Sequence, residues 1–470
     1  MSNPPITVVG GGFAGVEAAW AAAARGLRVR LIEMRPQETT PAHETGWLAE
    51  LVCSNSFKSK LPDSPAGQLK SEMSELGSLV LQVARTCEVP GGQALCVDRG
   101  RFGQRITEEI ESHPNIEIER RTLEPGEIPT LASSGALILA TGPLTTGPLS
   151  EWLATASGRE HLYFYDAVSP TVEAASIDRS VVFAQSRYDK GGDDYLNCPF
   201  SEDDYRAFVR ELVAAERVTP HAFEAGGKRD SSGGEAHGGL EEKIKYFAGC
   251  MPIEAIAEKG EMSLAFGNFK PVGLRDPRTG RRPFAVLQLR PENEQRTLYS
   301  LVACQTRLRW GEQRRVFRLV PGLESAEFVR YGVIHRNTYV EAPKVLTPDL
   351  RLKSDGRIRL AGQLTGVEGY IESAAMGILA GMAAAAEVAG IPFPLPPRPT
   401  ALGSLLTHLQ DPTDREFAPM NINWGLFPEP PGTHRDKGRR REAMLRAARE
   451  SFAEWREAVS DGGRPSGGEG

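Results

Sequence analysis

Residues 6–34 read ITVVGGGFAGVEAAWAAAARGLRVRLIEM. Ile6–Val9 is a short apolar run that predicts a buried strand. Gly10-Gly11-Gly12-Phe13-Ala14-Gly15 fits G-x-G-x-x-G, an Ala-rich helix follows to about Arg25, and Gly26 stops it. A second strand, Arg28 to Ile32, ends at Glu33. A strand, glycine turn, helix and strand with an acid at its tip is the pattern that binds a dinucleotide. Gly10 takes the tight turn, Gly12 lets the backbone approach a pyrophosphate, and Gly15 lets helix and strands pack closely. The helix N-terminus presents N–H groups and partial positive charge to phosphates. Glu33 is placed to accept from a ribose diol.

Further along, Pro36 and Pro41 mark a loop, and Trp47–Val52 predicts a short helix that delivers Cys53 into the polar segment Ser54-Asn55-Ser56. Leu69, Met73, Leu76, Leu79 and Val83 recur at helical spacing across 65–85. Ala136–Ala140 is an apolar strand running into Thr141-Gly142-Pro143, where a bound dinucleotide would be touched a second time. Residues 165–320 lose the alternation of strand and helix and read as an insertion. Near 356 it returns: Arg357–Leu360 predicts a strand, Gly362-Gln363 a turn, and Glu372 to Glu387 a helix. Two strand–glycine–helix units far apart in sequence are what a bipartite FAD fold needs, with the second helix N-terminus near the flavin ring. The expected class is therefore α/β, a bipartite Rossmann-like FAD-binding domain with a mixed α+β insertion. The parts are 1–165, the insertion 166–320, 321–430, and a charged, partly disordered tail 431–470. The Gly/Ser-rich stretch 224–242 and the last ten residues are expected to be disordered.

The chain has 470 residues, a net charge of −6 and 40% hydrophobic residues, so any RNA partner needs a local basic surface. The Ala- and Gly-rich run Ala374–Ile391 carries Glu387 and reads as a packed core helix, not a membrane span. The first strand begins too near Met1 for a signal peptide, and the sparse cysteines fit a reducing compartment. A cytoplasmic protein is expected, with no membrane partner. The eight histidines lack metal spacing and no C-x-x-C occurs, so no metal site is expected.

Of six cysteines, Cys53 in ELVCSNS and Cys250 in FAGCMPIE stand out, each at the edge of an apolar stretch where a thiol can reach a cavity. Cys96 and Cys304 alternate within strand-like runs and read as small buried hydrophobes. Three basic stretches, Arg275–Arg282, Arg307–Arg318 and Arg435–Arg441, read first as solvated, salt-bridged faces. The second interleaves Trp310 and Phe317 with arginines, a mixture that can also grip phosphates and stack on bases.

GGGFAGVEAAW, TPAHETGWLAELVCSNS, VPGGQALCVDR, SRYDKGGDDYLNCP, CMPIEAIAEKG, RYGVIHRNTY, AGQLTGVEGYIESAA and PMNINWGLFP, in this order, closely resemble the folate- and FAD-dependent tRNA (uracil-54-C5-)methyltransferase family, TrmFO. The likeness covers roughly residues 5–428. It implies FAD on Gly10 through Gly15, and a one-carbon unit from 5,10-methylenetetrahydrofolate. It also implies reduction by NADH or NADPH through the flavin, and 5-methyluridine formed in the tRNA T-loop. Its two catalytic cysteines match Cys53 and Cys250, with Cys250 expected to attack uracil C6 and Cys53 to handle the proton or methylene. The usual Gly-Asp of the second flavin motif is Gly362-Gln363 here, and an amide can still hydrogen-bond the cofactor. Three alternatives stay open: a related FAD enzyme acting on the tRNA wobble uridine, a small-molecule flavin oxidoreductase, and an RNA-binding protein with FAD as a prop. Oligomeric state is not legible.

Overall fold

Ile6–Val9 (β1) is the middle strand of a five-stranded parallel sheet in the computed structural model. Val29–Glu33 (β2) and Leu137–Leu139 flank it, and Ile116–Arg120 and Ile358–Leu360 form the two edges. Parallel pairs need crossovers, and the helix Phe13–Ala23 (α1) makes the first one. β1 and Leu137–Leu139 are buried along their whole length, which is why they read as mainly apolar runs. One edge strand, Ile358–Leu360, comes from beyond the insertion, so the sheet is closed by both arms of the chain. The structure describes residues 6–40, 42–145, 147–158, 162–189, 192–218, 251–412, 417–430, 432 and 436–461. Cys250, the 224–242 stretch and the last nine residues of the tail lie outside them.

The helix Tyr370–Ala389 packs along α1 with the backbones nearly touching. A Cβ on Gly377 would lie 2.1 Å from the Ala14 carbonyl oxygen, and one on Gly381 would lie 2.3 Å from that of Ala18. It is long and apolar enough to cross a membrane, but 89% of its apolar window is buried within the protein. The expected core helix is what the chain forms.

Two local expectations fail. The 65–85 helix is two helices, Pro65–Glu75 (α2) and Leu79–Thr86 (α3). Gly77 turns into the left-handed region at φ +81°, and Ser78 caps α3 by accepting from the Leu81 N–H. The buried Glu17 carboxylate also accepts from the N–H groups of Leu79 and Val80, at the positive end of α3. The short helix expected over Trp47–Val52 is absent, and that segment is extended and turned, with Ala49 at φ +47°. Its carbonyls are taken by arginines instead: Leu51 and Cys53 accept from Arg99, and Val52 accepts from Arg330.

The insertion enters on Leu162–Ala167 and leaves on Ile334–Tyr339, which pair antiparallel over six residues. Between them a six-stranded antiparallel sheet runs in the order Phe183–Ala184, Leu196–Phe200, Ala285–Pro291, Leu298–Leu301, Thr171–Glu173, Phe328–Arg330. It has its own core, including Val172, Phe200, Phe208, Leu287 and Phe317. Its last strand lies past residue 320, where the α+β texture had been expected to end. The tail folds back as a helix, Lys437–Asp461, pinned by Trp455 Nε1 donating to the Pro394 carbonyl (2.8 Å) and by an Arg456–Glu75 ion pair.

Candidate active site and cofactor cradle

The glycine turn behaves as its spacing implies. A Cβ on Gly15 would sit 1.7 Å from the Gly10 carbonyl oxygen, and one on Gly10, at φ +99°, would sit 2.5 Å from that of Ala140. A Cβ on Gly11 would strike Leu48 and Glu33. Around Gly12 there is nothing within 4 Å, and as the N-cap of α1 it has no side chain to occupy the first-turn N–H groups. Open space in front of uncapped helix amides is the cradle that a pyrophosphate requires, so the residues present fit an FAD.

Four predicted contacts, Glu33, Phe13, Ala14 and Thr141, are already engaged within the protein. Glu33 stands at the tip of β2, buried. It accepts from the Gly11 N–H through one oxygen, and from the Arg35 N–H (3.0 Å) and Nε (2.7 Å) through the other. Those donors and the Arg35 charge hold its carboxyl below the usual range, against a desolvation that is the largest single influence. The Phe13 ring is buried and stacks on Tyr370, with centroids 4.6 Å apart. Ala14 packs against the helix Tyr370–Ala389. For Phe13 and Ala14 only the backbone is left to face a cofactor. Thr141 is 2.7 Å from the Thr145 hydroxyl, and Gly142 takes φ +77°. Gly362 needs its positive φ, +75°, and has no room for a Cβ because Ala14 is 2.7 Å from where it would be.

Near this cradle His43 bonds the Thr40 hydroxyl at 2.7 Å. Burial, and then the Arg35 charge, push its pKa from 6.5 down to about 4. The folded state therefore binds fewer protons than the unfolded chain between those values. Stability from this residue is complete above pH 6.5 and is lost as pH falls through 4. We expect His43→Gln to lessen the acid sensitivity, shrinking the stability lost between pH 7 and 4 by about 2 kcal/mol in paired denaturant titrations.

Between the parallel-sheet unit and the insertion lies a cavity of about 380 Å³. Its wall includes Cys53, Lys58, Pro143, Arg290, Gln363 and Tyr370. Cys53 and Gln363, assigned from separate motifs, thus meet at one space. Tyr370 begins the long helix, behind an N-cap glycine at φ +113°, so the positive end of that helix faces the cavity. Its hydroxyl oxygen accepts from the N–H groups of Cys53 (2.9 Å) and Ser54 (3.3 Å) and lies 2.9 Å from Cys53 Sγ. With both lone pairs taken by N–H donors, its own proton is directed to the sulfur. Burial, with Cys53 alongside, pushes the Tyr370 pKa well up, so the phenol keeps its proton and acts as a donor.

The loop carrying Cys53 is held by charge. Arg99 pairs with Glu292 of the insertion and donates to the Cys53 carbonyl at 3.1 Å, and Arg330 donates to that of Val52 at 3.2 Å. Glu292 is fully buried, yet the guanidiniums of Arg99 and Arg290 keep its carboxyl below the ordinary range despite desolvation. Lys58, at φ +63°, donates to Glu372 at 2.7 Å. None of Tyr370, Arg99, Arg330 or Lys58 was marked by sequence spacing. Tyr370 is 317 residues from Cys53, and only the folded chain brings them together. No cluster of three metal-ligating side chains occurs among the described residues.

Two distant strand–glycine–helix units sharing one parallel sheet, with an open phosphate cradle and a cavity at the second helix, define the class: a bipartite FAD-binding flavoprotein with an inserted domain. The family profile "Glucose inhibited division protein A" matches residues 5–392. A Moorella thermoacetica protein named methylenetetrahydrofolate–tRNA-(uracil-5-)-methyltransferase TrmFO is 50% identical over 444 residues, 94% of this chain and 96% of that one. Proteins with the same name from Syntrophotalea carbinolica (48%, 97% and 95% covered) and Geobacter sulfurreducens (50%, 95% and 97%) match similarly. The structure of Aquifex aeolicus GidA superposes with a TM-score of 0.62 at 16% identity, covering 98% of this chain and 76% of that one, which shows the shared fold. The chain belongs to the glucose inhibited division protein A family, alongside its TrmFO members.

Proposed function

We propose that the protein methylates C5 of uridine 54 in the tRNA T-loop, taking the carbon from 5,10-methylenetetrahydrofolate. The observation that carries this reading is Cys53 on the wall of the cavity shared with Gln363, in a chain half identical to TrmFO over nearly its whole length. Uracil C5 is a weak nucleophile. A thiolate adding to C6 turns the ring into an enolate whose C5 attacks the methylene carbon as its bond to one folate nitrogen breaks; loss of the C5 proton to a base then expels the second folate nitrogen, releasing tetrahydrofolate, and hydride reaching the exocyclic carbon lets the sulfur leave. Bound FAD supplies the reduction of that carbon to a methyl group, with electrons from NADH or NADPH.

The chain's own residues have separable tasks. The amides of Gly12, Phe13 and Ala14 and the Thr141-Gly142 turn hold the cofactor phosphates, and Glu33 takes a ribose hydroxyl on a remaining lone pair. Gln363 offers its amide at the ring end. Tyr370 orients the Cys53 sulfur, while Arg99 and Arg330 fix its loop. The assignment of C6 attack to Cys250 and proton or methylene handling to Cys53 stands as part of the proposal, and the Tyr370 contact supports a reacting sulfur at Cys53 in either role. A tRNA substrate supports the cytoplasmic reading.

The test is to incubate the protein with tRNA unmodified in its T-loop, methylenetetrahydrofolate labelled at the methylene carbon, and NAD(P)H, and then to map the label. Label on C5 of uridine 54 is expected. Label at the wobble uridine, or none in tRNA, overturns the reading.

A further inference from the structure

The basic run 307–318 forms two unlike faces once folded. Phe317 is fully buried in the insertion core, whereas Trp310 is 62% exposed at the first position of the helix Trp310–Phe317. Trp310 is not isolated. Its ring stacks on Tyr331 (5.4 Å between centroids, 13° between planes), and Tyr331 stacks on Phe328 (5.6 Å, 10°). Phe328 packs against the insertion core, so three nearly parallel rings lead outward from that core. Buried Gln313 locks the ladder. It donates to the Gly332 carbonyl (2.8 Å) and accepts from the Gly332 N–H (2.7 Å), tying the helix to the segment that carries Tyr331.

Charge accompanies the ladder. Arg314 is exposed, and its guanidinium donates to the Tyr331 hydroxyl at 2.9 Å, with no carboxylate partner among the described residues. Arg309 and Arg315 are paired with Glu216, Glu211 and Glu312, whereas exposed Arg314, beside the ladder, has its charge available to an anion. The ladder is also tied to the cavity from two directions. Arg330, next to Tyr331, reaches the Val52 carbonyl beside Cys53, and Gln305, five residues before Trp310, lines the cavity itself. Five residues span at most about 18 Å, so the outer ring lies within a few nucleotides' reach of the reacting sulfur.

We propose that Trp310, backed by Tyr331 and Phe328, is a stacking platform for an unpaired nucleotide of the tRNA substrate, with Arg314 on the adjoining phosphate. This rests on the tRNA reading above and extends it to a surface that reading does not assign. A rigid ring with one open face beside a guanidinium anchored by a neutral hydroxyl suits a base and its phosphate, because every base has a π-face and stacking there needs no hydrogen-bond code. The net charge of −6 makes such a local foothold necessary for a polyanion.

The test compares wild type, Trp310→Ala, Trp310→Phe and Arg314→Gln for affinity and KM toward an unmodified tRNA transcript, with flavin absorbance and circular dichroism as the check of folding. Trp310→Ala should weaken binding about ten- to a hundredfold, and Trp310→Phe should restore most of it. Arg314→Gln should lower the slope of log affinity against log salt by about one. If wild type methylates tRNA but folded Trp310→Ala binds it within twofold of wild type, the platform is refuted and the function stands. If Trp310→Phe is as weak as Trp310→Ala, stacking is refuted. If Trp310→Ala changes only the oligomeric state, the ladder is a protein interface and the proposal falls. If wild type neither binds nor methylates tRNA, the functional reading fails and takes the platform with it.

Discussion

Gly15→Ala is expected to give a protein without flavin. The added Cβ would lie 1.7 Å from the Gly10 carbonyl oxygen, about half an ordinary contact distance, and that oxygen is backbone that no rotamer can swing aside. The start of α1 must move off β1, and the amides that face the phosphates move with it. The far side of α1 cannot absorb the shift, because Gly377 and Gly381 already bring the next helix to its backbone. We expect a loss of about 3 kcal/mol or more and purified protein that is colourless near 450 nm. Gly12→Ala is the contrast. Nothing lies within 4 Å of its added Cβ, so the fold should survive with its melting temperature little changed while FAD binds more weakly, since the methyl group enters the space reserved for phosphate. Equal flavin content in both variants and wild type would show that this turn does not hold the cofactor.

Cys53→Ala should abolish tRNA methylation, by at least about a thousandfold in kcat/KM, while the protein stays yellow and folded. The sulfur is on the cavity wall, not in the core, so its removal opens no buried void. Cys53→Ser should rescue little, because a hydroxyl at that place is a far weaker nucleophile and base than a thiol at neutral pH. Tyr370→Phe separates orientation from reaction. It removes the hydroxyl that accepts from two N–H groups and faces the sulfur, and we expect an intermediate loss, about ten- to a hundredfold, mostly in kcat. A Cys53→Ala enzyme with more than a tenth of wild-type kcat/KM would remove this thiol from the chemistry.

What could be read from the chain beforehand was what depends on local spacing. The first crossover, the acid at its end, the Leu137–Leu139 and Ile358–Leu360 strands, and the long Ala-rich helix all carry their own periodicity and glycine punctuation. The spatial order of the strands carries none, and neither does the closure of the sheet by a strand from beyond the insertion. The continuous helix expected over 65–85 failed at Gly77, because helical spacing of Leu76 and Leu79 persists across a break that one left-handed residue creates. The 47–52 helix failed because Arg99 and Arg330 take its carbonyls, a competition that local sequence cannot show. Likewise Trp310 and Phe317 looked alike in a basic run, and only tertiary packing assigned one to the surface and the other to the core. Cys53 stood out at the edge of an apolar stretch, and it does line a cavity. Tyr370 was missed because nothing ties it to Cys53 until the chain folds.

The central claim is that two thiols, Cys250 and the cavity-lining Cys53, carry the sulfur chemistry. It is tested most directly by trapping the reaction on tRNA bearing 5-fluorouridine at position 54, where fluorine blocks loss of the C5 substituent and the C6–sulfur bond persists. After incubation with methylenetetrahydrofolate and NADPH, digestion and mass spectrometry should place the nucleotide on the peptide containing Cys250 or on that containing Cys53, and Cys250→Ala decides between them. An adduct that survives in Cys250→Ala returns C6 attack to Cys53. An adduct on any other residue, or none from a preparation that methylates ordinary tRNA, contradicts the account.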